Sequence, residues 1–175
     1  PQTRLFDDLQ VPQTEGIKYV GSKLKILPHI IQIINGLKIR TALDAFSGTT
    51  RVAQAFSQLG FDTSANDIAE YSEIFGHCYL LSTKPNEFYQ KFIDELNSLK
   101  GTFGWFSQHY GGENETGKRP FQLKNTMKLD AIRDKIDEFD LKFTDKAVLL
   151  TSLILALDCV DNTLGHYASY LSGWC

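Results

Sequence analysis

The chain has 175 residues and a formal net charge of −3; 42% of its residues are hydrophobic and 22% are charged. This composition is typical of a folded globular protein and argues against wholesale disorder. The 18 basic and 21 acidic residues neither require nor exclude a nucleic-acid partner, because phosphate binding depends on a local basic patch rather than on net charge.

The three cysteines are Cys78, Cys159 and Cys175, and no two of them stand in a C-x-x-C spacing. Their odd number and wide separation argue against a disulfide framework or a zinc site, and the four histidines also lack ligand-like spacing. The first 20 residues lack the apolar run of a secretory signal, and the apolar stretch 147–157 is too short to span a bilayer. We therefore expect a cytoplasmic protein with no metal and no membrane partner.

The first half of the chain alternates between helical and strand-like patterns. Residues 1–16 are polar and are predicted to form a leader. Apolar residues then recur at helical spacing over 24–34, and Asn35-Gly36 ends this pattern. The next elements are predicted as a strand over 41–46, a helix over 52–59 with Gly60 as its C-cap, a strand over 61–66 and a helix over 68–81.

Strand, tight turn, helix and strand in immediate succession form a βαβ unit, which implies a parallel sheet with helices on its faces. Only these two strands are predicted in the chain, whereas an average sheet has roughly five or six. A parallel pair cannot cover its own faces and edges. We therefore expect the α/β fold to be truncated in this chain and completed by residues that are not present in it.

The second half of the chain is predicted to be mainly helical. Helices are expected over 85–99, 124–139 and 144–160, with a glycine-rich loop over 101–119 and a final loop over 161–167. The helix over 144–160 is apolar nearly all round and is expected to be core. The predicted domains are a leader (1–16), an α/β part (17–84), a helical insertion (85–143) and a core helix with a loop (144–175).

The turn around Gly48 and the acidic residue Asp67 form a candidate nucleoside site. A strand that runs into a small-residue turn and a helix presents backbone N–H groups and a helix dipole to a ligand. Asp67 follows 19 residues later, at the end of the second strand, where a carboxylate can accept hydrogen bonds from ribose hydroxyls. The alternative is that Asp67 only caps the following helix. Neither a P-loop nor a complete G-x-G-x-x-G motif is present.

Several motifs resemble, in order, those of Dam-type DNA adenine N6-methyltransferases. Residues 17–23 (IKYVGSK) resemble the N-terminal motif of that family, residues 44–50 (DAFSGTT) look like its D-x-F-x-G-x-G motif, and residues 66–68 (NDI) match the motif that follows. Residues 106–110, 121–136 and 162–167 are similar to segments of one branch of the family. The resemblance covers almost the whole chain and implies a Rossmann-like methyltransferase fold.

The resemblance also implies a cofactor, S-adenosylmethionine, and a set of residues that hold it. Tyr19 and Lys23 would lie against the methionine end of the cofactor, and Asp44 would lie near its amino group. Asp67 would hold the ribose. The implied pocket is completed by Phe46, Ser47, Gly48 and Ile68. Thr50 and Ala45 depart from the family pattern, which commonly has glycine and proline at these positions.

The family's methyl-transfer motif, [DNS]-P-P-[YF], does not occur in these 175 residues, since no two of the five prolines are adjacent. In the family this motif polarises the adenine amino group and stacks on the flipped base. The resemblance therefore implies that no catalytic residue lies in this chain and that the chain alone is inactive. A second chain or a missing C-terminal segment would supply the motif.

A basic stretch in the predicted insertion is a candidate for contact with double-stranded DNA. Five basic residues lie within 16 positions, and Tyr110 and Phe121 are close enough in sequence to stack on bases. The alternative is a solvated helix face balanced by Asp130, Asp134 and Asp137. The residues proposed for DNA contact are Lys118, Arg119, Lys124 and Lys128, together with His166 and Tyr167 in the final loop.

These observations predict an S-adenosylmethionine-dependent DNA adenine N6-methyltransferase of the restriction–modification type, of which this chain is the cofactor-binding part. A non-catalytic cofactor- or DNA-binding subunit of a split methyltransferase is the first alternative. Another nucleotide-binding α/β protein, such as a dehydrogenase fragment, is the second.

Overall fold

The structure is a computed structural model of the chain, and it describes residues 11–18, 21–113, 117, 119–163, 171 and 174. A short 3₁₀ turn, Lys23–Lys25, precedes the first helix. The elements of the first half are α1 (Leu27–Asn35), β1 (Thr41–Asp44), α2 (Arg51–Gln58), β2 (Asp62–Ala65) and α3 (Glu70–Gly76), which continues as a π-helix (His77–Leu81). Those of the second half are α4 (Asn86–Ser98), α5 (Trp105–Tyr110), β3 (Gly111–Gly112), β4 (Phe121–Gln122), α6 (Leu123–Glu138) and α7 (Phe143–Cys159).

The described residues divide into two compact units. The first unit consists of residues 11–16 and Gly21–Leu81. The second unit consists of Ile17, Lys18 and the described residues from Ser82 onward. Each unit has a hydrophobic core of its own.

The predicted βαβ unit is present in the first unit. Strands β1 and β2 pair in parallel, from Thr41 opposite Asp62 to Asp44 opposite Ala65. Because the strands run the same way, the loops that follow them leave the sheet at one edge. Helices α1 and α2 pack together over a core formed by Leu27, Ile31, Ile34, Val52, Ala55 and Phe56.

The described part of the predicted leader is bound to α2. The Glu15 N–H donates to Oε1 of Gln54 over 2.9 Å, and Nε2 of Gln54 donates back to the Glu15 carbonyl over 3.0 Å. Arg51 donates to the Gly16 carbonyl over 3.0 Å, and Val11 packs against the core. These contacts hold the chain beside the helix that follows the candidate loop.

The helix predicted over 68–81 begins later and changes its geometry. It starts at Glu70, because the N–H of Ala69 is hydrogen-bonded to the carboxylate of Asp67 in a turn that precedes the helix. From His77 the backbone follows a π-helix, an element found mostly as single turns at functional sites. Residue periodicity cannot distinguish these variants of helix.

The second unit packs α4, α6 and α7 around a second core. Its buried apolar residues are Tyr89, Leu96, Ile136 and Leu149. The predicted core helix is α7, in which Ala147 and Leu149 are fully buried while Val148, Leu150 and Leu153 are half-buried. A buried polar group supports the same core, since the Tyr89 hydroxyl donates to Asp145 over 3.0 Å.

The prediction of a loop over 101–119 was wrong for part of that range. Helix α5 occupies Trp105–Tyr110, and Gly111–Gly112 pairs in parallel with Phe121–Gln122. These short strands also correct the expectation of only two strands in the chain. The cause is a long-range contact: the buried carboxylate of Asp130 accepts the N–H groups of Gly104, Phe106 and Ser107 and so fixes the first turn of α5.

Candidate functional site

The loops that follow β1 and β2 are tied together at the carboxyl edge of the sheet. The N–H of Ser47 donates to the Asn66 carbonyl over 2.9 Å, and the N–H of Asn66 donates to the Asp44 carbonyl over 2.9 Å. The Asn66 side chain donates to the Ala45 carbonyl over 3.1 Å. Asn66 therefore joins the two loops through its backbone and its side chain, a role that was not predicted from the sequence.

Gly48 and Asp67, the two residues of the predicted nucleoside site, are in direct contact. The N–H of Gly48 donates to Oδ2 of Asp67 over 2.8 Å, and the N–H of Ala69 donates to Oδ1 over 3.0 Å. These two hydrogen bonds hold the pKa of Asp67 below its usual value of 3.8, so the carboxylate is charged at neutral pH. Ser72 donates to the Gly48 carbonyl over 2.6 Å and closes the arrangement from α3.

The conformation of the loop explains its glycine but changes the role expected for its amides. Gly48 has φ +51°, a left-handed conformation that favours glycine, and a Cβ there would meet no atom within 4 Å. The amides of Ser47, Gly48 and Thr50 are all hydrogen-bonded within the protein. These amides are therefore not available to donate to a ligand, contrary to the prediction from the sequence. The loop instead orients the carboxylate of Asp67.

Thr50, which departs from the family pattern, is also left-handed, with φ 59°. It is fully buried, and its hydroxyl accepts a hydrogen bond from Nε2 of Gln54 over 3.1 Å. The position therefore has the backbone geometry that a second glycine would adopt most easily.

A half-buried ion pair stands at the end of β1. Nζ of Lys23 donates to Oδ1 of Asp44 over 2.7 Å and also to the carbonyl of Phe46. The Asp44 side chain is buried, and its second oxygen, Oδ2, has no hydrogen-bond partner among the residues that the structure describes. Because buried polar atoms in native proteins are almost always paired, this oxygen is an acceptor that suits a donor group of a ligand.

A cleft of about 430 Å³ opens beside Asp67, within the range typical of small-molecule sites. Of the predicted residues, Ser47, Asp67 and Ile68 line it. Lys23, Asp44, Phe46 and Gly48 do not line it, although each belongs to the loops or the ion pair described above, and Tyr19 lies outside the described residues. The remaining wall comes from Thr63, Ala65, Asn66, Ala69, Glu70, Ser72, Glu73, Gly76, His77, Leu80 and Leu81.

The wall formed by α3 and the π-helix was not predicted as part of the site. Its polar members are Glu70, Ser72, Glu73 and His77. Helix α3 starts three residues after Asp67, so the sequence could have predicted that its first turn lies beside the site. Which of its faces lines the cleft depends on tertiary packing.

Two apolar side chains at this edge are open to solvent. Ile68 is fully exposed and Phe46 is 80% exposed. Exposure of large apolar groups beside a cleft suits contact with a flat, weakly polar ring system, because that contact removes both surfaces from water.

The basic residues predicted to contact DNA have different environments. Nζ of Lys128 donates to the carbonyls of Asn97 (2.9 Å) and Leu99 and is half-buried at the end of α4, whereas Lys124 is exposed. A guanidinium N–H of Arg119 donates to the His109 carbonyl over 2.5 Å. Lys118, His166 and Tyr167 lie outside the described residues.

The alternative of a solvated helix face does not hold for Asp130. Its carboxylate is buried, and the Ser107 hydroxyl donates to it over 2.6 Å. Arg133 instead pairs with Asp137 over 2.5 Å, one turn further along the exposed side of α6. One of the three acids assigned to that face is therefore part of the fold.

No group of three or more His, Cys, Asp and Glu side chains in the part of the chain that the structure describes is placed to hold a metal ion. No described helix is both long enough and apolar enough to cross a bilayer.

Three modification methylases are similar to the chain. Modification methylase StsI of Streptococcus sanguinis is 27% identical over 90% of the chain and 26% of its own length. The type II methyltransferase M.NlaIII of Neisseria lactamica is 28% identical over 89% of the chain and 49% of its own length. Modification methylase LlaI of Lactococcus lactis subsp. lactis is 26% identical over 90% of the chain and 28% of its own length. No solved structure matches the chain.

The chain thus spans between a quarter and a half of the length of these relatives. Residues 19–175 match the sequence model of the D12 class N6 adenine-specific DNA methyltransferases, a range that contains every predicted site residue. The resemblance inferred from the motifs is confirmed: the chain belongs to the family of D12 class N6 adenine-specific DNA methyltransferases.

Proposed function

We propose that the intact protein transfers a methyl group from S-adenosylmethionine to N6 of adenine in double-stranded DNA, and that this chain carries the cofactor-binding part. Membership of an adenine-specific DNA methyltransferase family supports the reaction and the DNA substrate. The modification methylases among its relatives support a restriction–modification setting, acting on DNA in the cytoplasm.

The observation that carries the cofactor assignment is the unpaired oxygen of Asp44. S-adenosylmethionine has an ammonium group at its methionine end. Lys23 binds Oδ1 of Asp44 and the Phe46 carbonyl and leaves the other carboxylate oxygen to accept a second donor. Oδ2 of Asp44 is a buried acceptor without a partner among the described residues. The cofactor's ammonium would satisfy it, in a charge-assisted hydrogen bond of the strong class.

Asp67 would hold the ribose of the same ligand. Each of its oxygens accepts one backbone N–H, and an ionised carboxylate offers roughly four lone-pair positions. The remaining positions suit two neighbouring hydroxyl groups. Asp44 ends β1 and Asp67 follows β2, its parallel neighbour, so one extended ligand at this edge of the sheet would span both.

The adenine ring of the cofactor would contact the exposed apolar side chains of Phe46 and Ile68, with Ser47 in the wall of the cleft. We carry over from the family resemblance that Tyr19 lies against the methionine end. The sulfonium of the bound cofactor supplies the methyl group. The residues of this chain bind and orient the cofactor, and we assign no catalytic residue to them.

Within this proposal residues 17–84 form the cofactor-binding part, residues 85–143 form the insertion that contacts DNA, and residues 144–175 form the core helix and a loop. Of the basic residues, Arg119 and Lys124 are exposed in the structure and are the stronger DNA contacts, while the ammonium of Lys128 is bound to carbonyls.

A second candidate is a non-catalytic cofactor- and DNA-binding subunit of a split methyltransferase. It is favoured by one sequence observation, the lack of adjacent prolines, and thus of a Pro-Pro methyl-transfer motif, in these 175 residues. In that case another chain would provide the motif.

The test uses cofactor with a tritiated methyl group and DNA of varied sequence. The intact protein is expected to label N6 of adenine, and the 175-residue chain alone is expected to bind cofactor without labelling DNA. Label in the mixture of the chain with a separate partner, and in neither alone, would support the split form. No label in adenine under any of these conditions would contradict the proposed reaction.

A further inference from the structure

Helix α5 and Phe103, two residues before the helix begins, present exposed aromatic side chains. Trp105 is 63% exposed and Phe103 is 62% exposed. The imidazole of His109, one helical turn after Trp105, stacks on the indole with 4.4 Å between ring centroids and 28° between ring planes. We call Phe103, Trp105 and His109 the aromatic shelf.

The shelf is carried by a firmly anchored helix. Four donors from Gly104, Phe106 and Ser107 converge on the buried carboxylate of Asp130. The close approach leaves no room for a side chain at residue 104, since a Cβ there would lie 2.7 Å from Cγ of Asp130. On the inner side, Phe106 packs on the fully buried Phe121 with 5.5 Å between centroids. The helix is therefore held in place by buried contacts, and the exposed rings of Phe103 and Trp105 do not contribute to the core.

Positive charge accompanies the aromatic shelf. The guanidinium of Arg119 is held at the end of α5 by the His109 carbonyl, within the same turn as the stacked imidazole. Lys124, on the helix that packs against α5, is exposed. Asp130, the acid that anchors α5, is buried and is hydrogen-bonded to four donors. Aromatic faces flanked by cationic groups are the combination that binds nucleic-acid bases and phosphates together.

We propose that the aromatic shelf is a DNA-contacting surface in which the exposed indole of Trp105 stacks on a base displaced from the duplex while Arg119 contacts a neighbouring phosphate. This inference rests on the proposed function, because the family supplies DNA as the partner. A protein partner would favour the exposed rings equally but would not require the adjacent guanidinium.

The chain allows a direct optical test, because it has only two tryptophans, Trp105 and Trp174. In the Trp174→Phe variant the indole of Trp105 is the sole source of tryptophan emission. Titration with a short duplex of mixed sequence at low salt is expected to quench that emission. The matched control is Trp105→Phe, whose remaining indole at residue 174 reports any non-specific change.

Affinity measurements on a variant series complete the test. Trp105→Ala is expected to weaken DNA binding roughly tenfold or more, the effect of removing one stacked base. Trp105→Phe should retain most of the affinity, and Phe143→Ala, which removes another exposed aromatic ring of the same unit, should leave it unchanged. S-adenosylhomocysteine affinity should stay constant in every variant, and the circular dichroism spectrum and urea unfolding midpoint of each variant show whether the unit that carries Trp105 is folded.

Equal DNA affinity for Trp105→Ala and the unsubstituted chain would overturn the inference, as would unquenched Trp105 emission at saturating DNA. Emission that instead shifts with protein concentration in the absence of DNA would identify a contact between copies and would also overturn it. A chain that binds S-adenosylhomocysteine and DNA, but binds DNA equally well without the Trp105 indole, contradicts this inference alone. Loss of S-adenosylhomocysteine binding in the unsubstituted chain contradicts the proposed function instead.

Discussion

At the scale of single residues, Asp67 does more than cap a helix. Its two oxygens accept N–H groups from two different loops, one of them the loop after the neighbouring strand. A helix cap would need only the second of these contacts. The link to Gly48 places a charged carboxylate where the two loops meet, which is where a ligand spanning both strand ends would lie.

Replacing Asp67 should therefore weaken cofactor binding. We expect Asp67→Ala to lower S-adenosylhomocysteine affinity roughly tenfold or more, since charge-assisted hydrogen bonds to the ribose are lost. Asp67→Asn, which keeps one acceptor oxygen, should lose less. Calorimetric titration measures both, with Asp62→Ala, an exposed aspartate at the other end of the same strand, as the control. Unchanged affinity in Asp67→Ala would leave the residue with a structural role only.

Asp44 should affect only ligands that carry an amino-acid end. We expect Asp44→Asn to lower affinity for S-adenosylhomocysteine roughly tenfold, because the charge that faces the ammonium is removed. Affinity for methylthioadenosine, which has no ammonium, should change little. Parallel titrations with the two ligands separate this role from a general loss of folding. Equal losses for both ligands would contradict the assignment of Asp44 to the ammonium.

At the scale of elements, the stability of α5 depends on one carboxylate. Asp130→Ala should lower the free energy of unfolding by about 2–3 kcal/mol, because buried donors of Gly104, Phe106 and Ser107 lose their acceptor. Urea unfolding measures this loss. Asp134→Ala, on the same helix but exposed, should cost far less. A similar loss in the two variants would mean that Asp130 does not anchor α5.

The contribution of Asp130 should also depend on pH. Burial raises its pKa, but the hydrogen bonds from Ser107, Phe106 and Gly104 outweigh burial and hold the pKa below the ordinary 3.8. A folded-state pKa below the unfolded value means that the contribution is complete above about pH 4 and is lost as the pH falls through the folded-state pKa. The difference in unfolding free energy between the unsubstituted chain and Asp130→Ala should shrink in that acidic window. A difference independent of pH would contradict this linkage.

The elements also mark what sequence could and could not predict. The βαβ unit was predictable because its signals are local: an apolar run, a small-residue turn, and Gly60 ending a helix with φ +87°. Helix α5 was missed because its anchor, Asp130, lies 26 residues from Gly104. The carbonyl groups that bind the Lys128 ammonium, those of Asn97 and Leu99, are also distant in sequence. Lys128 was therefore predicted to contact DNA. The wall formed by α3 escaped prediction for a different reason, because tertiary packing decides which face of that helix lines the cleft.

At the scale of the whole chain, the described cofactor residues and the aromatic shelf belong to different units, each with a core of its own. We therefore expect their energetic effects to be independent. Asp67→Ala should leave DNA affinity unchanged, and Trp105→Ala should leave S-adenosylhomocysteine affinity unchanged. In the double variant each affinity should equal that of the corresponding single variant. A DNA affinity that falls further in the double variant than in Trp105→Ala would show that the two sites are coupled.

The central claim is that the loop after β1 and the acidic residue after β2 form the site of a methyl donor. Calorimetric titration of the chain with S-adenosylhomocysteine and, separately, with NAD tests it most directly. The account predicts saturable one-to-one binding of S-adenosylhomocysteine and no comparable binding of the dinucleotide. The absence of S-adenosylhomocysteine binding, or equal binding of NAD, would contradict it.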